Sequence, residues 1–200
     1  ALGYKTGLYT SPHLISYYER ININGKDIPE RRLSACLEKI KTTWGQKYIS
    51  VYGQVTFFES LTAAAFLYFQ QEKVDFAVFE AGLGARLDAT RLAKGKYCAI
   101  TKIGMDHTDI LGNTLSRIAK EKAAIISAGQ TVVSSAQDKK VETIIRSRCG
   151  KEKAQCLFIG KQVRVEKRSW NLKEQVFDVQ TPFGFYKSIH CNLLGGHRAE

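Results

Sequence analysis

Two short stretches of the chain hold side chains whose types and spacing could do chemistry together. The first, VDFAVFEAGLGARLDATR (residues 74–91), is an apolar run ending in Glu80, followed at once by Gly82-Leu83-Gly84, Arg86 and Asp88. A carboxylate at the end of a strand greasy enough to be buried is costly unless a cation, a proton or a set of donors meets it. Glycine permits a close backbone turn there, so the stretch is suited to bringing something charged up to the end of a sheet. The second stretch, GMDHTDILG (104–112), follows the apolar run YCAITKI and spaces Asp106, His107 and Asp109 closely. Adjacent strand ends lie about 5–10 Å apart, so Glu80 and His107 could share one metal ion. A carboxylate and an imidazole are reasonable ligands for Mg²⁺ or Mn²⁺, of which Mg²⁺ is the more oxygen-seeking. The structural alternatives are an ion pair between Glu80 and Arg86, and a hydrogen-bonded loop histidine at His107. Gly82-x-Gly84 is not a dinucleotide fingerprint, because Leu87 stands where the third glycine of G-x-G-x-x-G belongs, and no G-x-x-x-x-G-K-[ST] occurs. Spacing alone supports a cation-assisted anion site.

The elements that must position these groups are legible in the hydrophobic pattern. VDFAVFE (74–80) and YCAITKI (97–103) are continuous apolar runs rich in aromatic and β-branched residues, the pattern of central parallel strands covered on both faces. Leu33, Cys36, Leu37, Ile40 and Trp44 recur at helical spacing within 29–45, giving one apolar face. Residues 56–72 are apolar on nearly every side, as in a helix packed between layers. Further on, 114–126 and 139–149 read as helices, while 131–135 and 156–160 read as extended. Strands alternating with helices predict an α/β fold with a mostly parallel sheet flanked by helices. After residue 160 the segments QVRVEK, QVFDVQ and GFYKSIHCNLL alternate apolar and polar residues around Asn and Pro-Phe-Gly turns, predicting a small antiparallel β appendage.

Two hundred residues at 44% hydrophobic content fit one sizeable domain with a core. The net charge of +11 favours anionic partners, and it is spread, +4 over residues 1–100 and +7 over 101–200. Nothing supplies the interleaved aromatic and basic residues of a nucleic-acid surface. Five cysteines without a C-x-x-C pair point to reduced thiols and a cytoplasmic protein. No apolar stretch reaches the roughly 18 residues that span a bilayer.

Taken together and in order, five motifs resemble the folylpolyglutamate synthase/dihydrofolate synthase family, relatives of the Mur ligases. They are LYTSPHL with ERININGKDI (8–14 and 19–28), TFFE (56–59), EAGLGARLDAT (80–90), ITKIGMDHTDILGNTLSRIAKEKAAII (100–126) and LLGGHR (193–198). The likeness is dense to about residue 135 and thinner from 136 to 190. It implies a P-loop NTPase-like central ligase domain over 1–200, with an α/β portion over 1–160 and the β appendage over 161–192. It also implies that a glycine-rich phosphate loop belongs before residue 1 and a glutamate-binding domain after residue 200, so the 200-residue piece alone is expected to be inactive.

The implied reaction is ATP-dependent joining of L-glutamate to a pteroate or folate carboxylate through an acyl phosphate, by a monomer. A Mur-type ligase acting on a cell-wall nucleotide precursor is the nearest alternative, and a Rossmann dehydrogenase is disfavoured by Leu87. Carried over motif by motif, Glu80 resembles a ligand of the catalytic Mg²⁺ and Ser11 a ligand of the Mg²⁺ that also holds the nucleotide phosphates. His107 resembles a ligand of a second Mg²⁺, and Lys122 matches a lysine carried as an N6-carboxylysine. Thr56, Phe57, Phe58 and Glu59, with Leu87, Asp88 and Ala89, match segments lining the pterin pocket. Ala85 and Ala124 stand where glycine is usual, Arg91 where asparagine is usual and Arg198 where glutamine is usual. Arg91 adds charge beside the pterin segment.

Overall fold

The computed structural model describes residues 3–192, apart from the side chains of Gln46, Lys47 and Trp170; the motif at 193–198, with Arg198, lies outside them. The chain divides after Ala93 into two compact units.

The first unit runs β1 (Thr6–Tyr9), a 3-10 turn (Tyr17–Arg20), β2 (Ile21–Ile23), β3 (Lys26–Asp27), α1 (Glu30–Tyr52), α2 (Phe57–Gln71), β4 (Phe76–Phe79) and a second 3-10 turn (Ala89–Ala93). Its sheet has the order β3-β2-β1-β4. β1 pairs in parallel with β4, Tyr9 opposite Phe79, and antiparallel with β2, Tyr9 opposite Ile21. The β2–β3 hairpin turns at Asn24-Gly25, both at positive φ (51° and 77°), as the Asn-Gly dipeptide favours. That signal was readable and is absent from the sequence expectation. In α1 the predicted face is used: Leu33 and Cys36 are buried, and Leu37 and Ile40 pack beside them. The predicted end at residue 45 becomes a kink at Gly45 (φ 46°, ψ 175°), after which the helix resumes to Tyr52. α2 lies close over β1, where a Cβ on Gly7 would stand 2.7 Å from the Phe69 ring.

The expectation of a central strand at 74–80, covered on both faces, is not met. β4 is at the edge of its sheet, and Phe76 and Val78 are 48% and 50% exposed. Among the described residues only β1 pairs with it, so the apolar run is only partly buried.

The second unit runs β5 (Tyr97–Ile100), α3 (Thr108–Leu111), α4 (Leu115–Ala123), β6 (Thr131–Ser134), α5 (Lys139–Lys151), β7 (Gln155–Phe158), β8 (Arg164–Trp170), β9 (Gln175–Thr181) and β10 (Gly184–Cys191). β5, β6 and β7 form a parallel sheet in that order. Here too the strand expected to be covered on both faces lies at an edge, with Tyr97 65% exposed. Ile118 and Ala119 of α4, and Val141, Ile145 and Cys149 of α5, close one core with Val132 and Phe158. Thr114 and Asp138 cap α4 and α5 by accepting from Arg117 N and Lys140 N. β8, β9 and β10 make the antiparallel sheet that the alternation after residue 160 predicts. Its first turn is held by Asn171, whose Oδ1 accepts from Lys173 N (2.7 Å) and Glu174 N (3.0 Å). The fold is thus mixed α/β, with parallel strands, flanking helices and a small antiparallel sheet. Among the described residues no helix is long and apolar enough to cross a membrane.

Ile145 has no exposed surface and lies in the core of the second unit. Ile145→Ala is expected to cost about 2–5 kcal/mol of stability, read from a urea denaturation curve. A loss below about 1 kcal/mol would show that this side chain is not packed as described.

Candidate active site

The parallel pairing of β1 with β4 sets the carboxyl ends of the two strands side by side. Glu80 N donates to Tyr9 O at 2.9 Å, and Ser11 N donates to Glu80 Oε2 at 2.9 Å. Glu80 is therefore exposed and met by an amide. Its other oxygen takes no hydrogen bond among the described residues. A carboxylate oxygen and the Ser11 hydroxyl are hard donors of the kind Mg²⁺ prefers. That ion is commonly held by one or two protein oxygens, with water and substrate phosphates completing the shell. No group of three or more His, Cys, Asp or Glu able to hold a metal occurs among the described residues.

The loop after Glu80 is organised by Asp88. Its Oδ2 accepts from Gly82 N (2.9 Å) and Leu83 N (3.0 Å), and its Oδ1 accepts from Thr90 N (2.9 Å) and from the Thr90 hydroxyl. Both oxygens are thus spent on the protein's own backbone and turn. Gly84 takes φ +64°, the left-handed region that glycine enters freely. Gly82 is required for a different reason: a Cβ there would lie 2.7 Å from the Phe58 ring and 3.2 Å from Asp88 Oδ2.

That contact joins the two segments expected to line the pterin pocket. Thr56 caps α2, and its N–H (2.8 Å) and hydroxyl (2.7 Å) both donate to Glu59 Oε2, while Glu59 N donates back to Thr56 Oγ1 (3.2 Å). The Thr56 amide holds the Glu59 carboxyl below the usual carboxylate range. Glu59 therefore fixes the helix start, and Phe57 and Leu87 are the exposed apolar groups of these segments (57% and 84%). Phe58 packs against Tyr9, ring centroids 6.1 Å apart. Burial pushes the Tyr9 hydroxyl up, and it accepts from Thr62 Oγ1 at 3.1 Å. Ala89 opens the second 3-10 turn.

In the second unit His107 is the N-terminal flanking residue of α3, at φ 49°, a conformation uncommon outside glycine. Its N–H donates to Asp106 Oδ1 (2.9 Å), and its Nε2 lies 3.5 Å from Asp106 Oδ2, with the ring half exposed. Asp109 sits in the first turn of α3. Lys122 is in the last turn of α4, half-buried.

One group of residues escaped the sequence reading. Glu19 and Arg20 appear there only within a motif, yet both bind the loop that carries Ser11. Glu19 accepts from the amides of Leu14, Ile15 and Ser16, and Arg20 Nε donates to His13 Nδ1 at 2.9 Å. The signal was present as Ser16-x-x-Glu19, a capping box, repeated at Thr56-x-x-Glu59.

Replacing Gly82 by Ala is expected to destabilise the protein by about 1–3 kcal/mol. Adding Phe58→Leu should recover part of that loss, giving a non-additive pair in chemical denaturation. Additive losses would mean that the Phe58 ring is not the obstacle.

Residues 30–200 match the family described as the Mur ligase middle domain. A dihydrofolate synthase/folylpolyglutamate synthase of Bacillus subtilis is 35% identical over 199 residues, covering 99% of this chain and 46% of that protein. A Mycobacterium tuberculosis folylpolyglutamate synthase structure, complexed with ADP and AMPPCP, superposes with a TM-score of 0.90 at 34% identity, covering 99% of this chain and 46% of that one. A folylpolyglutamate synthase complex with AMPPCP and folate gives a TM-score of 0.89 at 29% identity, over 98% and 48% of the two chains. The chain spans about half the length of the relatives it matches. With its α/β architecture and a carboxylate set at the end of a parallel strand, this chain belongs to the Mur ligase middle-domain family and is similar to folylpolyglutamate and dihydrofolate synthases.

Proposed function

We propose that the protein containing this chain is an ATP-dependent ligase that joins L-glutamate to dihydropteroate, to a reduced folate, or to both. The observation that carries this reading is the Ser11–Glu80 pair, an uncommitted carboxylate oxygen held beside a serine by a 2.9 Å bond from its amide. It is supported by the AMPPCP and folate named in a similar structure. A carboxylate is a poor electrophile, so the acceptor must be activated. Its oxygen bonds to the γ-phosphorus of ATP and ADP leaves; the glutamate nitrogen then bonds to the acyl carbon, phosphate leaves, and the amine loses a proton. Ser11 and Glu80 would hold a Mg²⁺ whose charge offsets that of the phosphates, and His107 is read as a ligand of a second Mg²⁺.

The chain's own residues have distinct tasks. Ser11 and Glu80 hold the metal–nucleotide end. Phe57, Phe58 and Leu87 offer apolar surface to the flat pterin, while Thr56 with Glu59, and Asp88 with Ala89, keep the two segments in shape. Lys122, as a carbamate formed by its neutral amine and CO₂ with release of a proton, would present an anionic group in place of a cation. Residues 1–160 are read as the α/β portion serving this chemistry and 161–192 as its β appendage. The enzyme is read as a cytoplasmic monomer.

The test is ADP release by the full-length protein with L-glutamate, comparing dihydropteroate with a reduced folate monoglutamate. Glu80→Gln is expected to lower turnover about 100-fold or more. No ADP release with either acceptor would sink the reading and make cell-wall nucleotide precursors the next acceptors to try. Stripping CO₂ from the buffer is expected to depress activity reversibly and to remove a carbamate carbon signal from ¹³CO₂-labelled protein. That signal should be absent in Lys122→Ala.

A further inference from the structure

Between the end of β1 and the 3-10 turn at Tyr17 the chain runs through Thr10–Ser16 without a strand or helix. Fixing each such residue costs about 1–2 kcal/mol of conformational entropy. Yet Ser11 must stay beside Glu80 for the two oxygens to act together. The ends of the segment are tied by Thr10 N donating to Arg20 O (2.9 Å) and Glu19 N donating to Ser16 O (3.1 Å). The middle is tied almost wholly by one side chain. Glu19 Oε1 accepts from Leu14 N, and Oε2 accepts from Ile15 N (3.3 Å) and Ser16 N (3.1 Å). These amides, Leu14's foremost, hold the Glu19 carboxyl below the usual carboxylate range, so it is ionised at neutral pH. Arg20, 8% exposed, adds its bond to the His13 ring. Leu14 and Ile15 are each 93% exposed, so burial of their side chains does not hold this stretch.

We propose that Glu19 is a positioning residue for the metal–nucleotide site: by collecting three consecutive amides it fixes the loop that presents Ser11 to Glu80. This rests on the proposed role of Ser11. A pre-fixed loop spares the ordering cost that binding would otherwise carry, so the effect falls on affinity more than on folding. Glutamine at position 19 is nearly isosteric but replaces one accepting oxygen with a donating NH₂, which cannot take an amide hydrogen. Aspartate keeps the charge and is one methylene shorter, so it cannot reach all three amides.

The test uses the full-length protein, calorimetric binding of AMPPCP with Mg²⁺, and amide hydrogen exchange. Glu19→Gln and Glu19→Asp are each expected to weaken binding about 5–20-fold and to speed exchange at Leu14, Ile15 and Ser16, with the melting temperature nearly unchanged. Ser11→Ala should weaken binding as well, and Ser11→Ala/Glu19→Gln should be no weaker than Ser11→Ala alone, because Glu19 acts through Ser11. Additive losses, or faster exchange with unaltered affinity, overturn the proposal and leave Glu19 a structural cap. If Ser11→Ala itself leaves binding unchanged, the metal role of Ser11 fails and the positioning role fails with it. Should Glu19→Gln lower the melting temperature sharply, Glu19→Asp and the double-mutant comparison decide.

Discussion

The candidate site depends first on the parallel register of β1 and β4. With Tyr9 opposite Phe79, the next backbone link is Glu80 N to Tyr9 O, and the residue after the following one on β1's side, Ser11, reaches the Glu80 carboxylate. Slipping either strand by one residue would reverse the faces of its side chains and carry Glu80 away from Ser11. Gly7 under Phe69 and Tyr9 against Phe79 and Phe58 hold that register by shape, since a side chain at Gly7 or a smaller ring at Tyr9 would not fit the same spacing.

The acidic groups around the site divide according to what their oxygens already do. Asp88 accepts from Gly82, Leu83 and Thr90; Glu59 accepts from Thr56; Glu19 accepts from three loop amides. Each is an internal cap. Glu80 and Glu59 each keep one oxygen without a hydrogen-bond partner among the described residues, but Glu59 is tied into the cap of α2, whereas Glu80 stands at a strand end beside Ser11. Availability for a cation is therefore decided by local backbone geometry and not by residue type, which is why acids of one chemistry, all close to glycine turns or helix starts, have unlike roles.

Much of this was legible beforehand. The helix at 29–45 was legible from its apolar spacing, that at 56–72 from an apolar run too long for a strand, and α1, α2, α4 and α5 occupy the segments 29–45, 56–72, 114–126 and 139–149 read as helical. The antiparallel sheet followed from period-two alternation with turn residues at Asn171 and at Pro182-Phe183-Gly184. Burial was misjudged at 74–80 and 97–103, because an apolar run reports what a strand could bury and not which neighbours it has; β4 and β5 are both edge strands of their sheets. The ligand pair was half legible: Glu80 stood out by its place after an apolar run, while the amide that meets it comes from 69 residues away in sequence. Asn24-Gly25 and the two S/T-x-x-E boxes were local signals of known meaning. Their consequence for the site, the fixing of residues 14–16, appears only once the loop is closed in space.

The half-exposed edge strand has a further consequence for how copies of this chain behave in solution. β4 presents unpaired backbone groups along one side among the described residues, flanked by Phe76 and Val78, and such an edge is a template on which a foreign strand can add. Against this stands the formal charge of +11, which makes two copies repel at low ionic strength. Salt screens that repulsion over about 10 Å at 0.1 M but leaves backbone pairing and apolar contact intact. In this chain taken by itself, the half-exposed edge and the like-charged surface act in opposite directions, and ionic strength changes chiefly the second.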